Sequence, residues 1–133
     1  MGALRELTTE YKFESINIDY LLALSETEDG PQLVSQLIEV YLEHASELLD
    51  RVDTSIREND YEIAQAFFVT FKSGSERIGA SRLATVIENS FNDAGSHLEI
   101  ESMRNLHSGI ALEFVLVKSE LGLLFKMLRK ITA

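Results

Sequence analysis

Three histidines, His44, His97 and His107, are the first candidates for acid–base or metal chemistry, and the chain contains no cysteine. A carboxylate-bridged metal pair in a helical bundle needs a glutamate three residues before a histidine, so that both project from one helix face. The residues at that spacing are Tyr41, Ala94 and Arg104, so such a site is not expected. His97 and Glu101 share a helix face, which reads as an ordinary solvated first turn. His107 falls in an apolar seam and is expected as a core or boundary histidine with a satisfied nitrogen, while His44 flanks a stripe and is expected at the surface. No nucleophile stands in register with a base, so a catalytic triad fails. Gly74 and Gly79 follow a helix rather than a strand and lack a Gly-Lys-Ser/Thr ending, so they form no phosphate loop. Neither a metal nor a cofactor is expected.

The elements that must position these residues are helices. Ala3 to Phe13 could form a short helix with Leu4, Leu7 and Tyr11 on one side. Asn17 or Asp19 could cap a second through Leu24, which ends in the polar stretch from Ser25 to Gly30. Pro31 suits the first turn of a long amphipathic helix from Gln32 to about Ile56, whose apolar positions repeat at three and four. Its outer face carries Glu39, Glu43, Glu47 and Asp50 and reads as solvated. Asn59 with Glu62 makes a capping arrangement for the next helix. Ser81 is placed to cap another, closed by Gly95, and Ser96 with Glu99 forms a capping box for the last. That final helix carries Met103, His107, Ile110, Phe114, Val117, Leu121, Leu124, Leu128 and Ile131 at strict spacing. No alternating strand pattern is present. The expected architecture is an all-α, antiparallel up-down four-helix bundle with one or two short N-terminal helices, in a single domain covering 1–133.

The segment from Phe67 to Ala80 is unusual within this pattern. On a wheel at roughly 100° per residue, Ile63, Phe67, Thr70, Phe71, Gly74 and Ile78 fall within roughly 60° of Phe67 and are expected to form the core side. Val69 lies about 200° away, with Glu62, Gln65, Lys72 and Glu76, and should face solvent. Phe68 borders it at about 100°, which sets two apolar side chains beside a lysine on a charged face.

Composition bounds the function classes. The 133 residues suit one domain, with 45% hydrophobic and 26% charged residues as in folded proteins. The 22 acidic and 12 basic residues leave a net charge of −10, which repels phosphate backbones and argues against nucleic acid. Apolar runs are too short for a membrane span, and the N-terminus has neither signal-peptide blocks nor a myristoylation serine or threonine at position 6. A reducing intracellular compartment is expected, with a protein or a cation as partner.

The run Val69-Thr70-Phe71-Lys72-Ser73-Gly74-Ser75-Glu76-Arg77-Ile78-Gly79-Ala80 resembles the phosphorylation motif of histidine-containing phosphotransfer proteins. In plant members that motif reads approximately His-Gln-Phe-Lys-Gly-Ser-Ser-Ser-Ser-Ile-Gly-Ala, and the register needs no gap. Val34-Ser35-Gln36 also opens the long helix as plant members do, and Glu113-Phe114-Val115-Leu116-Val117-Lys118 with Leu124-Phe125 resembles their last helix. The resemblance covers the chain from about Asp29 onward.

In that family an exposed histidine in the middle of a four-helix bundle accepts a phosphoryl group from a receiver-domain aspartate and passes it on. Here the position is Val69, which has no nitrogen to phosphorylate. Ser73 stands where the family has glycine, and the glycine has in effect moved to Gly74, whereas Lys72, Ile78, Gly79 and Ala80 follow the family. The resemblance therefore implies a non-enzymatic pseudo-phosphotransfer protein. Its expected partners are receiver domains of hybrid sensor histidine kinases and of response regulators in a cytokinin-type multistep phosphorelay. It would act as a competitor or negative regulator in cytoplasm and nucleus. The expected docking centre is Phe68 and Val69, with Lys72, Ser73 and Glu76 beside them and Gln36 on the neighbouring helix. A monomer is expected. Two alternatives stand: an active phosphotransfer protein using another histidine, and a bundle adaptor for unrelated partners.

Overall fold

A computed structural model describes residues 2–94 and 98–132. Its elements are six helices: α1 (Ala3–Thr8), α2 (Ile18–Ser25), α3 (Gly30–Arg57), α4 (Tyr61–Arg77), α5 (Ser81–Asp93) and α6 (Ile100–Thr132). No strand occurs among the described residues. None of these helices is long and apolar enough to cross a membrane.

The 28 residues of α3 and the 33 of α6 span about 42 and 50 Å and form the long frame of the molecule. Against both α3 and α5 lie α4 and α6, which touch each other only slightly. Helix α2 packs on α3, and α1 on α6. The core is built from fully buried side chains such as Leu21, Ile38, Phe68, Leu83, Ile87, Leu121 and Leu124. Tyr41, Phe71 and Phe114 meet edge to face with centroids 6.1 to 6.4 Å apart, so one aromatic from each of α3, α4 and α6 joins the three helices.

The helix ends depart from the capping pattern read in the sequence. Asn17 does cap α2, accepting the Tyr20 N–H at 3.2 Å. Pro31 does occupy the first turn of α3. Asn59, however, is not the cap of α4. It takes the left-handed conformation (φ +62°) that lets the chain reverse, a role asparagine tolerates, and its side chain accepts the Tyr61 hydroxyl at 2.8 Å. Asp60 becomes the capping position instead. Ser81 likewise lies inside α5, after Ala80 at the cap, because Gly79 (φ +79°) has already turned the chain. Helix α1 ends at Thr8 rather than Phe13, leaving Tyr11 exposed. The cap at Ser96, the closing Gly95 and His97 lie outside the described residues.

A buried carboxylate fastens the N-terminal segment. Glu120, on the core side of α6, accepts the N–H groups of Glu14 (2.9 Å) and Ser15 (2.8 Å) and the Ser15 hydroxyl (2.6 Å). A few residues later the Asn17 N–H donates to the Gly79 carbonyl at 2.8 Å, and the Tyr20 hydroxyl to the Arg77 carbonyl at 3.2 Å. The stretch from Glu14 to Tyr20 thus runs as a strap from the middle of α6 to the C-terminus of α4.

Candidate functional site

Helix α4 is rotated from the orientation its apolar residues suggest. Its buried line is Ala64, Phe68, Phe71 and Ser75, continued by Ile78, and its exposed line is Glu62, Ala66, Val69, Ser73 and Glu76. Phe68 is therefore a core residue, fully buried, and does not belong to a docking face. Phe67 packs on the core from its rim, while Ile63 and Thr70, expected inside, are exposed. The reason is local. Phe67 and Phe68 are adjacent and equally apolar, so the choice between them rests on their smaller companions, Ala64 and Ser75. Ser75 can be buried because its hydroxyl pairs with that of Tyr41 at 2.9 Å, across the α3–α4 contact. Burial pushes the Tyr41 phenol up to about 12, against the opposing effect of the Ser75 bond, so it remains a neutral hydrogen-bonding group.

Val69 does face solvent, with 52% of its surface exposed. It stands near the middle of α4 at the edge of a groove of about 460 Å³ between α3 and α4. Leu37, Val40, His44 and Leu48 line the α3 side, Val69, Ser73 and Arg77 the α4 side, and Tyr41 and Phe71 line it from the core. Gly74 also borders the groove. A Cβ there would meet the Tyr41 ring at 3.9 Å, an ordinary contact, so the glycine is not required by packing.

Of the residues expected to act together, Val69 and Ser73 share this groove. Lys72 is half-buried on the adjacent flank, with its ammonium 3.6 Å from Glu76 one turn on. Gln36 is displaced. It lines a separate depression with Gln32, Ser35, Phe125 and Arg129 between α3 and the end of α6, because that side of α3 turns away from α4. Two groove residues went unrecognised in the sequence. Val40 lies off the apolar stripe of α3, yet its 52% exposure puts it on the groove wall. His44 is exposed as expected but borders the same groove as Val69.

The groove offers an apolar wall with polar groups, His44, Ser73 and Arg77 among them, at its margin. His107 is half-buried, with Nε2 3.0 Å from the Leu49 carbonyl, which accounts for one ring nitrogen. Among the described residues no three histidine, cysteine, aspartate or glutamate side chains converge as a metal site would require. No match was found when the chain was compared with protein-family models, with curated proteins and with solved structures.

Proposed function

We propose that this protein is a pseudo-phosphotransfer module, an up-down four-helix bundle that docks receiver domains of hybrid sensor kinases and response regulators without carrying phosphate. By occupying them it competes with active phosphotransfer proteins in a cytokinin-type phosphorelay, in cytoplasm and nucleus. The observation that carries this reading is Val69, a half-exposed apolar side chain at mid-helix, in the position where the motif resemblance calls for the phospho-accepting histidine. Docking needs an apolar centre and a polar rim, neither of which depends on that histidine. Val69 and Val40 supply the centre, and Ser73, Arg77, His44 and the Lys72–Glu76 pair supply the rim.

His44 favours a second reading, because it borders the groove and could take the phosphoryl group itself. Incubation with a phosphorylated receiver domain separates the two. The native chain should bind without acquiring phosphate, and Val69→His should acquire it. Phosphate on the native chain that disappears in His44→Ala would establish the second reading. Failure of both the native chain and Val69→His to bind any receiver would point to an adaptor for unrelated partners.

A further inference from the structure

The most exposed large apolar side chains among the described residues are not at the groove but on the solvent side of α6: Leu112 at 77% and Val115 at 69%. The charges along it are segregated. Of the acids on α6 beyond Glu101, Glu113 is only 14% exposed and paired with Arg82 at 2.8 Å, and Glu120 is buried. Arg104, Lys118, Lys126, Arg129 and Lys130 are exposed. In a chain of net charge −10 this face is apolar at its centre and basic toward its C-terminal end, while its beginning is acidic, with exposed Glu99 and Glu101 and with Asp93 of α5 beside Asn105.

We infer that two copies of this chain pair through this face, with their α6 helices antiparallel about a twofold axis between Leu112 and Val115. The register is the reason. Around that axis Leu112 of one copy faces Val115 of the other, Ser108 faces Ser119, Asn105 faces Gly122, and Glu101 faces Lys126. These eight positions alternate spacings of four and three, the 3.5-residue seam along which two helices pack knobs into holes. Apolar groups meet at the centre, small ones flank them, and opposite charges close both ends. The parallel arrangement sets Glu101 against Glu101 and Lys126 against Lys126, which repel. An unrelated acidic partner would satisfy the basic end but leaves the charge reversal at Glu101 without a role. One helix from each copy makes an interface near the low end of specific contacts, below about 1,200 Å² in total, so the association is weak and reversible. It departs from the monomer expected from sequence. Val69 lies on a different helix and stays free, so pairing does not depend on receiver docking.

Sedimentation equilibrium of the full chain should move from the 15.0 kDa monomer at about 10 µM toward twice that mass near 1 mM, with Leu112→Glu remaining monomeric throughout. The chain lacks cysteine, so Ser108→Cys and Ser119→Cys each carry a single thiol. Mixed and mildly oxidised, these variants should yield the 108–119 heterodisulfide in about tenfold excess over both homodisulfides. A statistical mixture or a homodisulfide excess would overturn the register. A mass of 15.0 kDa up to 1 mM, or a dimer indifferent to Leu112→Glu, would overturn the pairing. Binding of a receiver domain that protects Leu112 and Val115 would also overturn it, by assigning the face to another occupant.

Discussion

Tyr41 and Ser75 tie the floor of the groove to the stability of the molecule. Burial pushes the Tyr41 phenol up to about 12, whereas an unfolded tyrosine ionises near 10. Between these values the unfolded chain releases a proton that the folded chain keeps, so the unfolded state binds fewer protons and stability falls as pH rises. The contribution is intact below about pH 10, declines by about 1.4 kcal/mol per unit and approaches about 2 to 3 kcal/mol lost near pH 12. Tyr41→Phe should cost about 1 kcal/mol at neutral pH, through loss of the Ser75 bond, yet soften more slowly in alkali. Urea midpoints at pH 8 through 11 measure both effects. Parallel pH curves for the two proteins would show that the phenol ionises in place.

At the scale of elements, two glycines should respond with opposite signs to one substitution. A Cβ at Gly30 would overlap the carbonyl groups of Leu24 and Ser25, which are backbone and cannot yield without moving α2 from the start of α3. Gly109, inside α6, has nothing within 4 Å of where its Cβ would be. Gly30→Ala should therefore destabilise by about 2 kcal/mol or more, and Gly109→Ala should stabilise by about 0.5 to 1 kcal/mol, both read from chemical denaturation. The same contrast marks how far the sequence could be read. Helix α3, expected from Gln32 to about Ile56, runs Gly30–Arg57, because a three–four repeat sustained over that length averages out local ambiguity. The rotation of α4 was not legible, since it turns on a serine buried by a tyrosine hydroxyl 34 residues away. Glu120 was opaque for the same reason: its donors lie at Glu14 and Ser15, 106 and 105 residues distant. Val69 could be placed because the solvated side of a helix needs no partner to define it.

Across the whole molecule, the strap from Glu14 to Tyr20 raises the question of whether the groove and the N-terminal segment form one cooperative unit. The strap meets the chain at one end of the groove, at the carbonyls of Arg77 and Gly79, while the groove itself is walled by α3 and α4 and underlain by Tyr41, Phe71 and Phe114. Its other end depends on a carboxylate that is 1% exposed and accepts two backbone N–H groups and a hydroxyl. Glu120→Ala strands those donors in the interior and should cost about 2 to 4 kcal/mol, whereas Glu120→Gln keeps one acceptor oxygen and should cost about half as much. Because local openings follow contiguous units, amide exchange at Glu14, Ser15 and Asn17 should accelerate in the alanine variant while the amides of Phe68 to Ser75 keep their protection. The receiver binding proposed for the Val69 face should then be unchanged. Loss of protection along α4 in step with the strap would instead make the N-terminal segment part of the groove's own support, and shortening it would then weaken the proposed receiver binding.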